Sequence, residues 1–159
     1  MMTNDVLRSV RYMLDLADAH VVNIFKLAGY EVSLQDVASW LKKEGEEGYV
    51  ECPAISLAQF LDGLIIFRRG KNDKAQTECT ALSESNIRSN SNNLALKKLR
   101  VAFELKEDDL NSIMEAAGFK ISKPELSALL RKEGHKNYRH CGDRFLRNFL
   151  KGLTLRIRG

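Results

Sequence analysis

Arg144, Arg147 and Lys151 stand at i, i+3 and i+7, a spacing that a helix would line up along one side. Lys136 and Arg139 precede them, and Arg156 and Arg158 follow. Cations in that pattern suit contacts with a run of phosphates or with an acidic protein surface. The bland alternatives are a solvated helix face and a face that docks another part of the same chain. Cys141 is a second candidate. It falls where a helix is expected to begin, beside Arg139 and His140. A helix N-terminus lowers a thiol pKa, so a reactive, redox-sensing thiol could form there, with Cys52 as its counterpart. Ordinary burial of a small apolar residue weighs against it. His135, His140 and Cys141 are potential metal ligands, but adjacent His140 and Cys141 can hardly both turn to one ion. No second Cys or His pair sits at zinc-site spacing, so no metal site is assigned. There is no glycine-rich phosphate loop, and none of the 3 histidines recurs in a second copy of its surroundings, which disfavours a hydrolase triad. No catalytic residue and no cofactor is assigned. The reading is a non-enzymatic binding or regulatory protein whose partner is nucleic acid or an acidic protein surface. Self-association of unlike-charged halves to a homo-oligomer is the alternative, and a redox-sensing thiol protein the third reading.

The elements that must position these residues occur twice. Lys43-Glu44-Gly45, Tyr49, Cys52, Leu57, Phe60-Leu61 and Gly63-Leu64 recur as Lys132-Glu133-Gly134, Tyr138, Cys141, Leu146, Phe149-Leu150 and Gly152-Leu153, offset by 89 residues. Aligned without a gap, residues 4–70 and 93–159 are identical at 21 of 67 positions. Ordinary composition would give roughly four. Two copies are too few for a solenoid, so a tandem pair related by a pseudo-two-fold axis is expected. The fold class is all-α. Residues 1–70 form a first helical repeat, 71–92 a polar linker that contains Cys79, and 93–159 a second helical repeat.

Each repeat reads as four short helices. The first is expected to start near Asn4 or Asn93 as N-cap, with Arg11 and Asp15 (Arg100 and Glu104) spaced for an ion pair. The second ends at Gly29 or Gly118. The third opens at a capping Ser33 or Ser122. The corner at Gly118 is similar to a helix-turn-helix, though an ordinary αα-corner is favoured. Tyr49 and Tyr138 are expected to pack under the following loop with the hydroxyl on backbone. The fourth helix carries an apolar stripe, Leu57, Phe60, Leu61 and Leu64 against Leu146, Phe149, Leu150 and Leu153. Gly63 and Gly152 beside it imply a close helix approach, because a glycine inside a helix costs about 1 kcal/mol against alanine.

Charge is divided between the repeats. Residues 1–70 hold 7 Lys/Arg and 10 Asp/Glu, while 93–159 hold 15 and 8, so an acidic repeat (−3) is joined to a basic one (+7). At the basic-stripe positions the first repeat has Ile55, Ala58 and Asp62, so the fold itself does not demand the stripe. The first twenty residues carry Asp5, Arg8, Arg11, Asp15 and Asp18 rather than an apolar leader, and no run reaches the length of a membrane span. A cytoplasmic protein with reduced thiols and no membrane partner is expected.

Three stretches together resemble the YehS-like family. They are Asn4-Asp5-x-Leu7-Arg8-x-x-Arg11, the corners Leu27-Ala28-Gly29 and Ala116-Ala117-Gly118, and the ending from Gly134-His135-Lys136-Asn137-Tyr138-Arg139 through Cys141-Gly142-Asp143 and Phe145-Leu146-Arg147-Asn148-Phe149-Leu150 to Lys151-Gly152-Leu153. That is a bacterial family of duplicated domains with no assigned function. The resemblance covers the chain apart from the linker. It implies a bacterial cytosolic protein and supplies no catalytic or binding residues.

Overall fold

A computed structural model of the chain describes residues 2–70, 87, 90–131 and 136–158. Every regular element among them is helical. The first repeat comprises α1 (Met2–Leu14), α2 (Asp18–Leu27), α3 (Leu34–Leu41) and α4 (Ala54–Arg69). The second comprises α5 (Ser91–Ala102), α6 (Glu107–Ala116), α7 (Lys123–Leu130) and α8 (Asp143–Arg158). Helices α3 and α7 open as their sequences direct. Ser33 Oγ accepts from the Asp36 N–H at 3.0 Å and Ser122 Oγ from the Glu125 N–H at 3.3 Å.

Within each repeat the last helix packs on the second, α4 on α2 and α8 on α6. The repeats join by exchanging their first and last helices: α4 packs on α5, and α8 packs on α1. Swapping α1 with α5 and α4 with α8 turns one seam into the other, which defines a pseudo-two-fold axis. Paired hydrogen bonds obey it. Arg69 donates to the Val101 carbonyl at 3.5 Å, and its counterpart Arg158 donates to the Tyr12 carbonyl at 2.8 Å. A single apolar core runs through both repeats, centred on Phe25, Phe60, Leu64, Leu96, Phe149 and Leu153.

Several local expectations need correction. Asn4 and Asn93 are not N-caps. The helices begin earlier, at Met2 and Ser91, and both asparagines are 2% exposed. Asn4 Nδ2 donates to the carbonyls of Trp40 (3.0 Å) and Val50 (2.9 Å), while its Oδ1 accepts from the Cys52 N–H at 2.9 Å. Asn93 does the same with Leu129 (3.0 Å), Arg139 (2.9 Å) and Cys141 (2.8 Å). Each amide therefore ties the first helix to the end of the third and to the strap that leads into the fourth. Three bonds from one buried side chain satisfy backbone groups that no helix ladder reaches.

Asp15 and Glu104 do not extend the first helices either. They adopt left-handed φ of 53° and 54° and turn the chain sharply, so that the Leu16 and Leu105 N–H groups bond back to Arg11 and Arg100. Arg11 instead lies 3.8 Å from Asp18. The Tyr138 hydroxyl donates to Asn90 Oδ1 at 2.6 Å, a side-chain acceptor rather than backbone. The stretch before the second repeat is not purely a polar tether. Ile87 is 2% exposed and packs with Ala54, Ile55, Ala58 and Leu94 over the α4/α5 seam. Residues 71–86, with Cys79, and Lys132, Glu133, Gly134 and His135 lie outside the described residues.

Candidate functional site

The basic stripe of α8 is divided between two environments. Arg144 turns away from the first repeat toward Phe119, with its guanidinium 5.9 Å from the ring centroid. Arg147 and Lys151 turn toward α1 and line a cleft of about 580 Å3 between the two repeats. The opposite wall is α1, which contributes Asp5, Arg8, Arg11 and Tyr12. Four cations from two repeats thus face one another, and the acidic repeat supplies two of them. Among the described residues, Asp5 is the single carboxylate on the cleft wall.

The ion pairs in the cleft are long. Arg8 lies 3.7 Å and Arg147 3.9 Å from the two oxygens of Asp5. Arg147 remains 64% exposed, so such a pair contributes little and leaves the guanidinium free to be shared. No carboxylate of the described residues pairs with Lys151. Tyr12 is 61% exposed at the rim, with the Arg158 guanidinium 4.4 Å over its ring. An arginine-backed aromatic ring next to a basic groove is a platform on which a base can stack. Sequence reading missed Arg8 as a site residue and read Arg11 as half of an ion pair, because they join the stripe solely through the α1/α8 packing.

Lys136 and Arg139 are not among the residues that line this cleft. Both are exposed. Arg139 lies 3.9 Å from Glu125 and lines a second hollow with Lys123, Pro124 and Glu107, which shares no residue with the α1/α8 cleft. That hollow lies along α7, the helix that follows the helix-turn-helix-like corner at Gly118. Its face is largely neutralised by α6. Asp108 lies 4.0 Å from Lys123, and the Ser127 hydroxyl donates to Glu107 at 3.1 Å. Asp109 is engaged elsewhere: its carboxylate accepts from the Lys106 N–H and from Arg156, and these hold its pKa below the usual carboxylate range. An acidic first turn next to α7 is a poor surface for phosphates.

Cys52 and Cys141 precede α4 and α8, as expected, but the direction of their pKa shift is opposite. Burial pushes both thiols up to about 12, with Glu51 and Asp143 respectively adding to the rise. Both side chains are at most 1% exposed. Desolvation outweighs the helix terminus because the thiolate would sit in the apolar core. His140, by contrast, is exposed, so it and Cys141 do not converge on one point. Among the described residues no three His, Cys, Asp or Glu side chains could hold a metal ion together. In the native protein at pH 8, Cys52 and Cys141 are expected to alkylate with iodoacetamide at least 100-fold more slowly than in denaturant, on the order set by a thiolate fraction near 10⁻⁴. Native labelling as fast as that of the unfolded chain, followed by peptide mass mapping, would remove this assignment.

No helix among the described residues is long and apolar enough to cross a membrane. No solved structure matches the chain. The chain is 47% identical over 156 residues to "Uncharacterized protein YehS" of Escherichia coli (strain K12), covering 98% of this chain and 96% of that protein. The model of the family described as "Protein of unknown function (DUF1456)" matches twice, at residues 3–70 and 92–159. The internal duplication, the pseudo-two-fold pairing of the eight helices among the described residues and these matches agree: the chain belongs to that family of duplicated helical domains.

Proposed function

We propose that the protein binds nucleic acid without acting on it chemically, along a surface centred on the α1/α8 cleft. The observation that carries this reading is the convergence of Arg8 and Arg11 from one repeat with Arg147 and Lys151 from the other, beside the exposed Tyr12 ring. Cations spaced along a groove neutralise successive phosphates, and an aromatic ring at the rim accepts an unpaired base. A flexible single strand fits such a groove better than a duplex. A duplex offers its bases only in the grooves, and the short helix α7 that could enter one has an acidic neighbour.

Four phosphate contacts on a single strand give a log–log salt slope of about −3, so affinity should fall about 50-fold between 50 and 200 mM salt. Fluorescence anisotropy with a single-stranded oligonucleotide reads this directly. The Arg147→Glu/Lys151→Glu double variant is expected to lose binding while keeping its helical circular dichroism. Arg144→Glu is expected to weaken binding only a few-fold, since Arg144 lies off the cleft. Absence of retention at about 50 mM salt, or binding indifferent to the double reversal, would sink the proposal.

A further inference from the structure

The two seams that the pseudo-two-fold axis interconverts are not chemically alike. In the α4/α5 seam, Asp62 and Lys98 are 4% and 5% exposed and bonded Oδ1 to Nζ at 2.5 Å. Ala58 and Ile65, one turn before and one turn after Asp62 on α4, are each 4% exposed, and Ile87 packs on Ala58. In the α1/α8 seam the position of Asp62 is taken by Lys151 and that of Lys98 by Ser9, with Arg147 for Ala58 and Thr154 for Ile65. All four of these line the open cleft. One seam therefore carries its own buried carboxylate. The other has a cation where that carboxylate would be, and a hydroxyl where its partner would be.

We infer that the α1/α8 cleft holds a terminal phosphate, a phosphate monoester on a nucleotide or at the end of a strand, between Lys151 and Ser9. The ligand supplies the anionic charge that Asp62 supplies in the sealed seam. The charge on the walls favours a dianion over a backbone diester. Arg8, Arg11, Arg147 and Lys151 against Asp5 on the wall, and Asp18 3.8 Å from Arg11, leave a surplus of at least two positive charges. A monoester carries about −1.5 to −2 at neutral pH, whereas a diester carries one negative charge. The Ser9 hydroxyl donates to a phosphate oxygen, while the Thr154 hydroxyl donates to the Leu150 carbonyl at 2.7 Å, and the guanidinium groups on the two walls can bind the phosphate oxygens bidentately. This inference rests on the cleft being the anion-binding surface proposed above and narrows what it selects.

The test compares a single-stranded oligonucleotide bearing a 5′-phosphate with the same strand ending in a hydroxyl, and adenosine monophosphate with adenosine. The phosphorylated strand is expected to bind about 10-fold more tightly, and the monophosphate, unlike adenosine, to compete with it and to raise Tm. The Ser9→Lys/Lys151→Asp variant rebuilds the sealed seam in the open one. It is expected to stay folded, with a Tm no lower than the parent, and to lose both the discrimination and the competition. Equal affinity for the two strand ends overturns this inference and leaves nucleic-acid binding standing. Discrimination that survives in the sealed variant also overturns it. Stabilisation by the monophosphate with no binding of either strand keeps the phosphate site and overturns the nucleic-acid reading. No response to any of the four ligands overturns both.

Discussion

Replacing Gly63 or Gly152 by alanine is expected to lower Tm by about 10 °C each, a loss of about 3 kcal/mol. In an exposed helix the same change would stabilise by about 1 kcal/mol, because alanine is the better helix former. Geometry reverses the sign. A Cβ on Gly63 would lie 2.8 Å from the Ile24 carbonyl carbon, and one on Gly152 would lie 2.9 Å from that of Ile113. The carbonyl oxygens themselves are nearer still. These are backbone atoms of α2 and α6, so no rotamer change relieves the overlap, and a helix must retreat. The retreat would open the seams that bury Phe25 and Phe60 in one repeat and Met114 and Phe149 in the other. The two sites share no partner, so the double variant should lose about the sum, about 6 kcal/mol, which is much of the stability of an ordinary domain. Thermal melts followed by circular dichroism decide it, and a Tm equal to or above the parent for either single variant contradicts the packing described here.

That close approach was legible because it is repeated. A glycine kept at both Gly63 and Gly152 inside an apolar helix stripe has few explanations other than contact. The same logic marked four helices in each copy and a pseudo-two-fold pairing, since hydrophobic period and serine caps are local signals repeated in both. Repetition alone did not decode Asn4 and Asn93. A local rule made them N-caps, whereas their partners are 36 to 48 residues away and become visible only once the third helix and the strap are folded over the first. Cys52 and Cys141 failed for a related reason: their place in sequence indicates a helix terminus, but the depth of burial that reverses the pKa shift is a property of packing. The candidate cleft was half legible. Arg147 and Lys151 were marked by their spacing on one helix. Arg8 and Arg11 were not, because the contact that brings α1 to α8 spans nearly the whole chain and leaves no periodicity in it.

The buried pair of Asp62 and Lys98 is the least legible feature, and its removal has the other large expected effect. Lys98→Met is expected to cost 3–5 kcal/mol, about 10 °C or more in Tm, and Asp62→Leu a similar amount. Each single change leaves one charge about 95% buried in the α4/α5 seam without its partner. The double variant should recover most of the loss and lie within about 2 kcal/mol of the parent, because taking two charges out of water roughly cancels their attraction. A double-mutant cycle by chemical denaturation then yields a coupling energy of about 4 kcal/mol or more. If the singles are nearly harmless and the cycle closes without coupling, water reaches the pair and the α4/α5 seam is not sealed. The pair also bears on the symmetry of the molecule. With Asp62 and Lys98 in place, the two helical repeats have one seam saturated by its own charges and one left electrostatically open. Two similarly folded units thereby give, among the described residues, a basic cleft at one seam and not at the other, and the residues that make the difference are those in which the two copies diverge.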